Sequence, residues 1–209
     1  MSTADCFSAE LLADWVADAS TRSMALVEDL SDEHLMGPQM EIVNPMLWEI
    51  GHVAWFYEKW LLRHLAGREP LRPEVDCLYD SATIPHDVRW NLPLLSRETV
   101  FQYIDDVRRA VIDRLVHSPL TDQLAYFVLL SVFHEDMHTE AYTYTRQTLC
   151  YPAPCFNGVS RNNSYEKRVA GVEQSEPPDA TISGGSQNLD PSHPPRKQGL
   201  NLHLEKSST

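Results

Sequence analysis

Two histidines four residues apart carry the clearest chemical signal in the sequence. His134 and His138 stand in FHEDMHTEAY, residues 133–142, within an otherwise apolar segment. On a helix, residues four apart lie one turn above the other and about 40° apart in rotation, so both imidazoles can bind one metal ion. The same stripe of the helix contains Phe127, Leu130, Ala141 and Thr145, which indicates the buried face. The pair is therefore predicted to point inward.

A protein-bound metal needs a third ligand, and an earlier segment offers His52. It lies in WEIGHVAWF, where Trp48 and Trp55 stand at helical spacing and mark the inward edge. Three neutral imidazoles from two facing helices leave coordination positions open for water, substrate or dioxygen. This donor set is typical of a reactive site and not of a closed structural one.

Glu140 follows the histidine pair but has the wrong rotation for a direct ligand. It lies about 140° from the middle of the histidine stripe on a regular helix. We expect it to cap or support the structure around the site.

Other interpretations of the histidines stay open. A pair at this spacing is also compatible with an ordinary hydrogen-bonded core pair or a solvated helix edge. HEDMH also satisfies the HExxH pattern of zinc proteases. Against a protease, the sequence has weak strand signals and no further zinc ligand after the pair, where a polar tail is predicted.

Four segments have helical periodicity, and their boundaries carry capping signals. They span about 8–30, 44–67, 96–119 and 121–149. Asn44 is predicted to cap the second helix with Pro45 at its first position, Ser96 to cap the third, and Thr121 or Asp122 the fourth. The fold class is therefore all-α, a four-helix bundle.

The connection between the second and third helices indicates the topology. About 29 residues, 67–95, separate them, which is long for antiparallel neighbours. A long crossover allows these two helices to run in the same direction. The prediction is an up-down-down-up bundle.

Composition limits the partners and the compartment. The net charge is −13, and residues 1–150 hold 24 acidic residues against 11 Lys and Arg. Such acidity argues against nucleic acid or an anionic membrane as a partner. We find no apolar run of membrane-spanning length and no signal peptide, and we expect a cytoplasmic protein. The four cysteines, Cys6, Cys77, Cys150 and Cys155, form no CxxC pair, so a thiolate metal site is not predicted.

A change of composition divides the chain. Residues 151–209 contain 7 of the 14 prolines and 5 of the 8 glycines. We predict a bundle domain over 1–155 and a low-complexity, disordered C-terminal tail over 156–209.

Two motifs together resemble a known family. NPMLWEIGHVAWFYEKWLL (44–62) and HEDMHTE (134–140) resemble the N-terminal DinB-like domain of the sulfoxide synthases of ergothioneine biosynthesis, often called EgtB. The resemblance covers roughly residues 8–155. It implies a DinB-like bundle that binds one non-haem iron(II) through His52, His134 and His138. In that family, iron and O₂ join the sulfur of cysteine or γ-glutamylcysteine to the imidazole carbon of hercynine, giving a sulfoxide.

The sequence departs from the family pattern in two respects. Met137 stands where compared members have a glutamine that helps hold the substrate imidazole, which opens a selenoneine synthase-like branch as an alternative. The formylglycine-generating-enzyme-like, lectin-like second domain is not found, so we expect a product inactive alone or a partner of a separate lectin-like domain. Arg89, in the crossover, lies where the family places arginines that bind the thiol substrate.

Two further hypotheses belong to other functional classes. One is a stand-alone DinB-type thiol transferase or hydrolase that uses Zn²⁺ or Ni²⁺ without oxygen chemistry. The other is a non-catalytic bundle that binds a partner chain.

Overall fold

The computed structural model describes residues 6–154, which fold into helices joined by loops and contain no strand. The long helices are α1 (Ala9–Ala25), α3 (Met46–Tyr57), α5 (Arg97–His117) and α6 (Asp122–Thr148), with short helices α2 (Asp32–Met36) and α4 (Val75–Tyr79) between them. The all-α prediction is confirmed. The predicted tail, 156–209, and Cys155 lie outside the described residues.

Contacts along α3 show its direction relative to its two neighbours. Glu49 lies beside His138 of α6 and Trp60, just beyond α3, beside Phe127, so α3 and α6 are antiparallel. Arg114, late in α5, donates to the carbonyl of Leu61. Tyr103, early in α5, donates to Glu58, which precedes Leu61 by three residues. α3 and α5 therefore run in the same direction.

Contacts along α1 complete the topology. Arg108 of α5 donates to Ser23 at 3.1 Å, and Arg97 donates to Leu30, so α1 and α5 are antiparallel. Ser23 also donates to Glu135 at 2.6 Å. Arg146 donates to the carbonyl of Leu26, and both of these residues lie farther toward the C-terminal ends of the two helices, so α1 and α6 are parallel. The up-down-down-up order predicted from the long connection is confirmed.

The predicted caps are partly confirmed. The side chains of Ser96 and Thr121 accept from backbone N–H groups in the first turns of α5 and α6, as predicted. Asn44 does not cap α3, which begins at Met46 with Pro45 as its flanking residue and no side-chain cap. The Asn44 side chain instead bonds to Glu49 and Arg89.

The second predicted helix is not regular to its end. After Tyr57 the chain continues as a π-helix, Glu58–His64. A π-helical turn closes its hydrogen bonds over one more residue than an α-helical turn. In this turn Glu58 is fully buried and accepts hydrogen bonds from the Leu71 N–H and the Tyr103 hydroxyl, while Leu61 and Leu62 stay in the core.

The crossover between α3 and α5 is ordered and packed. It contains α4 and a 3₁₀ turn, His86–Asn91. The N–H of Trp48 donates to the carbonyl of Leu78 at 2.7 Å, which fixes α4 against α3. Within the described range, no helix combines the length and the apolar character needed to cross a bilayer.

Candidate metal centre

The structure brings the three predicted histidines together between α3 and α6. Their ring centroids lie 5.0 Å (His52 to His134), 5.1 Å (His52 to His138) and 4.7 Å (His134 to His138) apart. One nitrogen from each ring lies within 4.8 Å of the others. Nitrogens about 2 Å from a common ion lie at most about 4 Å apart. The widest separation here therefore has to shorten by about 1 Å when one ion binds all three rings.

A backbone carbonyl orients His52. Its Nδ1 lies 2.8 Å from the carbonyl oxygen of Tyr79, at the end of α4. Because a carbonyl only accepts, Nδ1 carries the proton and Nε2 keeps its lone pair. His52 is thus held in the tautomer that binds a metal through Nε2.

Aromatic rings fix the planes of two imidazoles. Trp48 stacks on His52 with centroids 4.8 Å apart and planes 9° from parallel. Phe56 stacks on His134 at 3.8 Å and 10°. These contacts limit rotation of the rings and keep water from one side of the cluster.

Burial keeps imidazoles of the cluster neutral. Desolvation, and then the neighbouring His138, lower the pKa of His52 to about 4. Desolvation, His138 and His52 lower the pKa of His134 to about 2. At neutral pH both rings are in the unprotonated form that binds metals.

Two of the imidazole nitrogens are buried without a partner. His134 Nδ1 and His138 Nδ1 have no hydrogen bond within residues 6–154. Buried polar atoms in native proteins are normally satisfied, and orphans usually indicate an absent ion or water. A cluster of three imidazoles, two of which have a buried nitrogen without a partner, fits a divalent cation of the borderline class, such as iron(II), nickel or zinc.

Comparison with known proteins agrees with the fold and the motifs. The family model of the DinB superfamily matches residues 17–141. The chain belongs to the DinB superfamily. It is also similar to three curated proteins named hercynine oxygenase, from Mycolicibacterium thermoresistibile, Mycolicibacterium smegmatis and Mycobacterium tuberculosis.

The similarity covers a minor part of those relatives. The M. thermoresistibile protein is 36% identical over 132 residues, which are 62% of this chain and 29% of the relative. The M. smegmatis protein is 36% identical over 63% of this chain and 31% of the relative. The M. tuberculosis protein is 33% identical over 64% and 31%. The chain thus spans about a third of the length of the curated relatives it matches.

The other predicted site residues lie at different distances from the three histidines. Arg89 is half-buried, with its guanidinium 3.9 Å from the Trp48 ring centroid, on the ring that also stacks on His52. Met137 is 56% exposed, next to His138 in sequence. Glu140 is exposed on the DinB bundle and has no hydrogen bond or ion pair with any residue from 6 to 154.

Sequence reasoning missed the carboxylate that does lie beside the histidines. Glu49 is 1% exposed, and its Oε1 is 3.5 Å from His138 Nδ1. Its position three residues before His52 places it on the same side of α3, which was an available signal. The carbonyl of Tyr79, at the end of α4, carried no signal, because a backbone acceptor has no sequence signature.

Proposed function

We propose that this chain is the metal-binding domain of a non-haem iron(II) sulfoxide synthase of the hercynine oxygenase type. The observation that carries the proposal is the convergence of His52, His134 and His138, with unpartnered buried nitrogens, in a DinB bundle similar to proteins named hercynine oxygenase. The three imidazoles would hold the ion from α3 and α6. Iron(II), when bound, supplies dioxygen activation and a position for a thiolate.

The proposed reaction joins a thiol and an imidazole in one oxidation. The S–H of a cysteine-type thiol and a C–H of the hercynine ring are broken, and a C–S bond and an S=O bond form. One O₂ is reduced by four electrons, with one oxygen atom entering the sulfoxide and the other leaving as water with the two hydrogens. No further reductant is needed.

The residues of this chain would orient the metal-binding histidines and bind the substrates. The Tyr79 carbonyl and the Trp48 ring hold His52, and Phe56 holds His134 and shields it from water. Arg89, with its Nε unpartnered within the described residues, is proposed to bind a carboxylate of the thiol substrate. Met137 would offer an apolar contact where the family has an amide, so the identity of the sulfur or selenium donor is part of the test.

An exposed apolar stripe on α6 supports the proposal that this domain contacts a partner domain. Tyr126, Phe133, Met137 and Tyr144 are 55%, 59%, 56% and 44% exposed. Their spacing of 7, 4 and 7 residues puts them on one face of the helix, next to the two histidines of α6. Because the curated relatives are about three times longer than the region they share with this chain, we propose that this stripe contacts a lectin-like domain that completes the substrate pocket.

Oxygen consumption tests the proposal directly. The anaerobically iron-loaded chain is mixed with hercynine, O₂ and cysteine or γ-glutamylcysteine, alone and with the second domain of a relative added. We expect thiol-dependent O₂ uptake and a product whose mass is that of both substrates plus O₂ minus water. His138→Ala should abolish uptake, whereas His117→Ala, at an exposed histidine on α5, should not change it.

Other outcomes would support other functions. A chain that binds zinc or nickel and turns over thiols without consuming O₂ would be a DinB-type transferase or hydrolase. Uptake with a selenol and not with a thiol would place it in the selenium branch. A folded chain that binds no metal would contradict the proposed function.

A further inference from the structure

Glu49 is a buried carboxylate whose surroundings differ from those of the other buried carboxylates. It is 1% exposed, on the inner side of α3. Its Oε1 accepts from Asn44 Nδ2 at 2.9 Å and lies 3.5 Å from His138 Nδ1. Its Oε2 is buried and has no hydrogen bond to any residue of the described range.

The other two buried glutamates in the bundle are fully satisfied. Glu58 accepts from a backbone N–H and from the hydroxyl of Tyr103. Glu135 accepts from the hydroxyls of Ser23 and Tyr57 and pairs with Arg108. Burying an ionised carboxylate costs several kcal/mol unless it is paired and hydrogen-bonded. Within residues 6–154, Glu49 has a hydrogen bond only from the neutral amide of Asn44, and the charge of Arg89 acts on it from behind that amide. The nearest further group that can pair with the carboxylate is the imidazole of His138.

A carboxylate beside one nitrogen of a metal-binding imidazole has a known physical effect. It accepts the N–H of that nitrogen, fixes the ring orientation and tautomer, and makes the other nitrogen a stronger donor. The 3.5 Å between Glu49 Oε1 and His138 Nδ1 is longer than a hydrogen bond, and a shift of about half an ångström closes it. His138 is the ring that lacks any other orienting partner among the described residues.

We propose that Glu49 is a positioning residue that holds His138 for metal binding, and that Asn44 holds Glu49 in place. The inference rests on the proposed metal centre and adds to it a carboxylate that sets the affinity for the ion. His138 Nδ1–H donates to Glu49, which leaves Nε2 to face the ion. A cation bound at Nε2 would add, through the imidazole, to the positive charge that Arg89 already places near the buried carboxylate.

Asn44 also connects this carboxylate to the crossover segment. Its Oδ1 accepts from Arg89 Nη1 at 2.7 Å while its Nδ2 donates to Glu49. The reversed amide would place an NH₂ against a guanidinium and an oxygen against a carboxylate, so this orientation is the only one that satisfies both neighbours. Arg89, Asn44, Glu49 and His138 thus form one polar chain from the crossover to the cluster.

Glu49→Gln tests the role with little change of shape. The amide keeps the bond from Asn44 but loses the charge. We expect the affinity for Co²⁺, measured by competition with a chromophoric chelator, to fall about 10- to 100-fold. The melting temperature of the metal-free protein should not fall, because a buried carboxylate without a full set of partners is replaced by a neutral group.

Two further variants separate positioning from a general structural effect. Glu58→Gln, at an equally buried carboxylate whose hydrogen bonds go to Leu71 and Tyr103 and not to the histidines, should lower the melting temperature and leave Co²⁺ affinity within about twofold. Asn44→Ala should weaken Co²⁺ binding several-fold, less than Glu49→Gln. The visible spectrum of bound Co²⁺ should change in Glu49→Gln, since the strength of one imidazole donor changes.

The outcomes distinguish this inference from the proposed function. If the wild-type chain binds no Co²⁺, Zn²⁺ or iron(II), the metal centre itself is wrong. If the wild type binds Co²⁺ and Glu49→Gln binds it equally tightly, or if Glu58→Gln weakens binding as much, Glu49 has no positioning role.

Discussion

Gly51 is the residue that allows the crossover to reach His52. A Cβ at this position would lie 2.2 Å from the Tyr79 ring, far inside van der Waals contact. Tyr79 is fully buried, and its carbonyl accepts from His52 Nδ1. The absence of a side chain at Gly51 is therefore a condition for the orientation of a neighbouring imidazole.

Gly51→Ala is expected to destabilise the fold and weaken metal binding. The added methyl group must displace Tyr79, and overpacking of this kind costs about 1–3 kcal/mol or more. Thermal unfolding and Co²⁺ titration measure the two effects. Gly67→Ala is the control. The φ of 63° at Gly67 makes an alanine there strained by about 1–2 kcal/mol. An added Cβ would have no neighbouring atom within 4 Å, so the metal affinity should not change. A Gly51→Ala protein with wild-type melting and affinity would contradict this account.

Single residues differ in how far the sequence predicts them. His134 and His138 are predictable because helical geometry alone relates them, and His52 because Trp48 and Trp55 mark its side of α3. The sequence predicts Asn44 as a helix cap, which is the most common role of such a residue before a helix. Its contact with Arg89 depends on how the crossover folds back, and no local pattern contains that information.

At the scale of elements, one buried polar cluster joins all four long helices. Glu135 of α6 accepts from Ser23 of α1 and Tyr57 of α3 and pairs with Arg108 of α5. Arg108 and Glu135 have side-chain exposures of 7% and 0%. Glu135 follows His134 in sequence, and Tyr57 follows Phe56, which stacks on His134. The hydrogen bond between Tyr57 and Glu135 therefore helps to fix the register of α6 against α3 next to the histidines.

Arg108→Met is expected to cost about 3–5 kcal/mol, because it leaves the Glu135 carboxylate buried without its charge partner. Arg109→Met changes the neighbouring residue on the same helix. The ion pairs of Arg109 with Asp105 and Asp106 are exposed. That control should cost less than about 1 kcal/mol. Urea unfolding of the two variants gives the comparison, and equal losses would contradict the role of the cluster.

The elements themselves were largely predictable. Apolar periodicity and the caps Ser96 and Thr121 predicted α5 and α6 to within a few residues. The π-helical turn after Tyr57 was not predictable, because no local pattern distinguishes it from a continued α-helix. The partners of its first residue, Glu58, are Leu71 and Tyr103, which are distant in sequence.

At the scale of the whole molecule, the length of one connection was enough to predict the topology. A connection of about 29 residues permits parallel neighbours, and α3 and α5 are parallel. That topology sets α3 antiparallel to α6, and the histidines of these two helices lie together between them.

The central claim is that imidazoles from α3 and α6 bind one ion, and X-ray absorption of the anaerobically iron-loaded protein tests it most directly. The account predicts one iron(II) per chain with scattering from three imidazoles, falling to two in His52→Ala with weaker retention of the metal. A spectrum without histidine scattering, or one unchanged in His52→Ala, would contradict it.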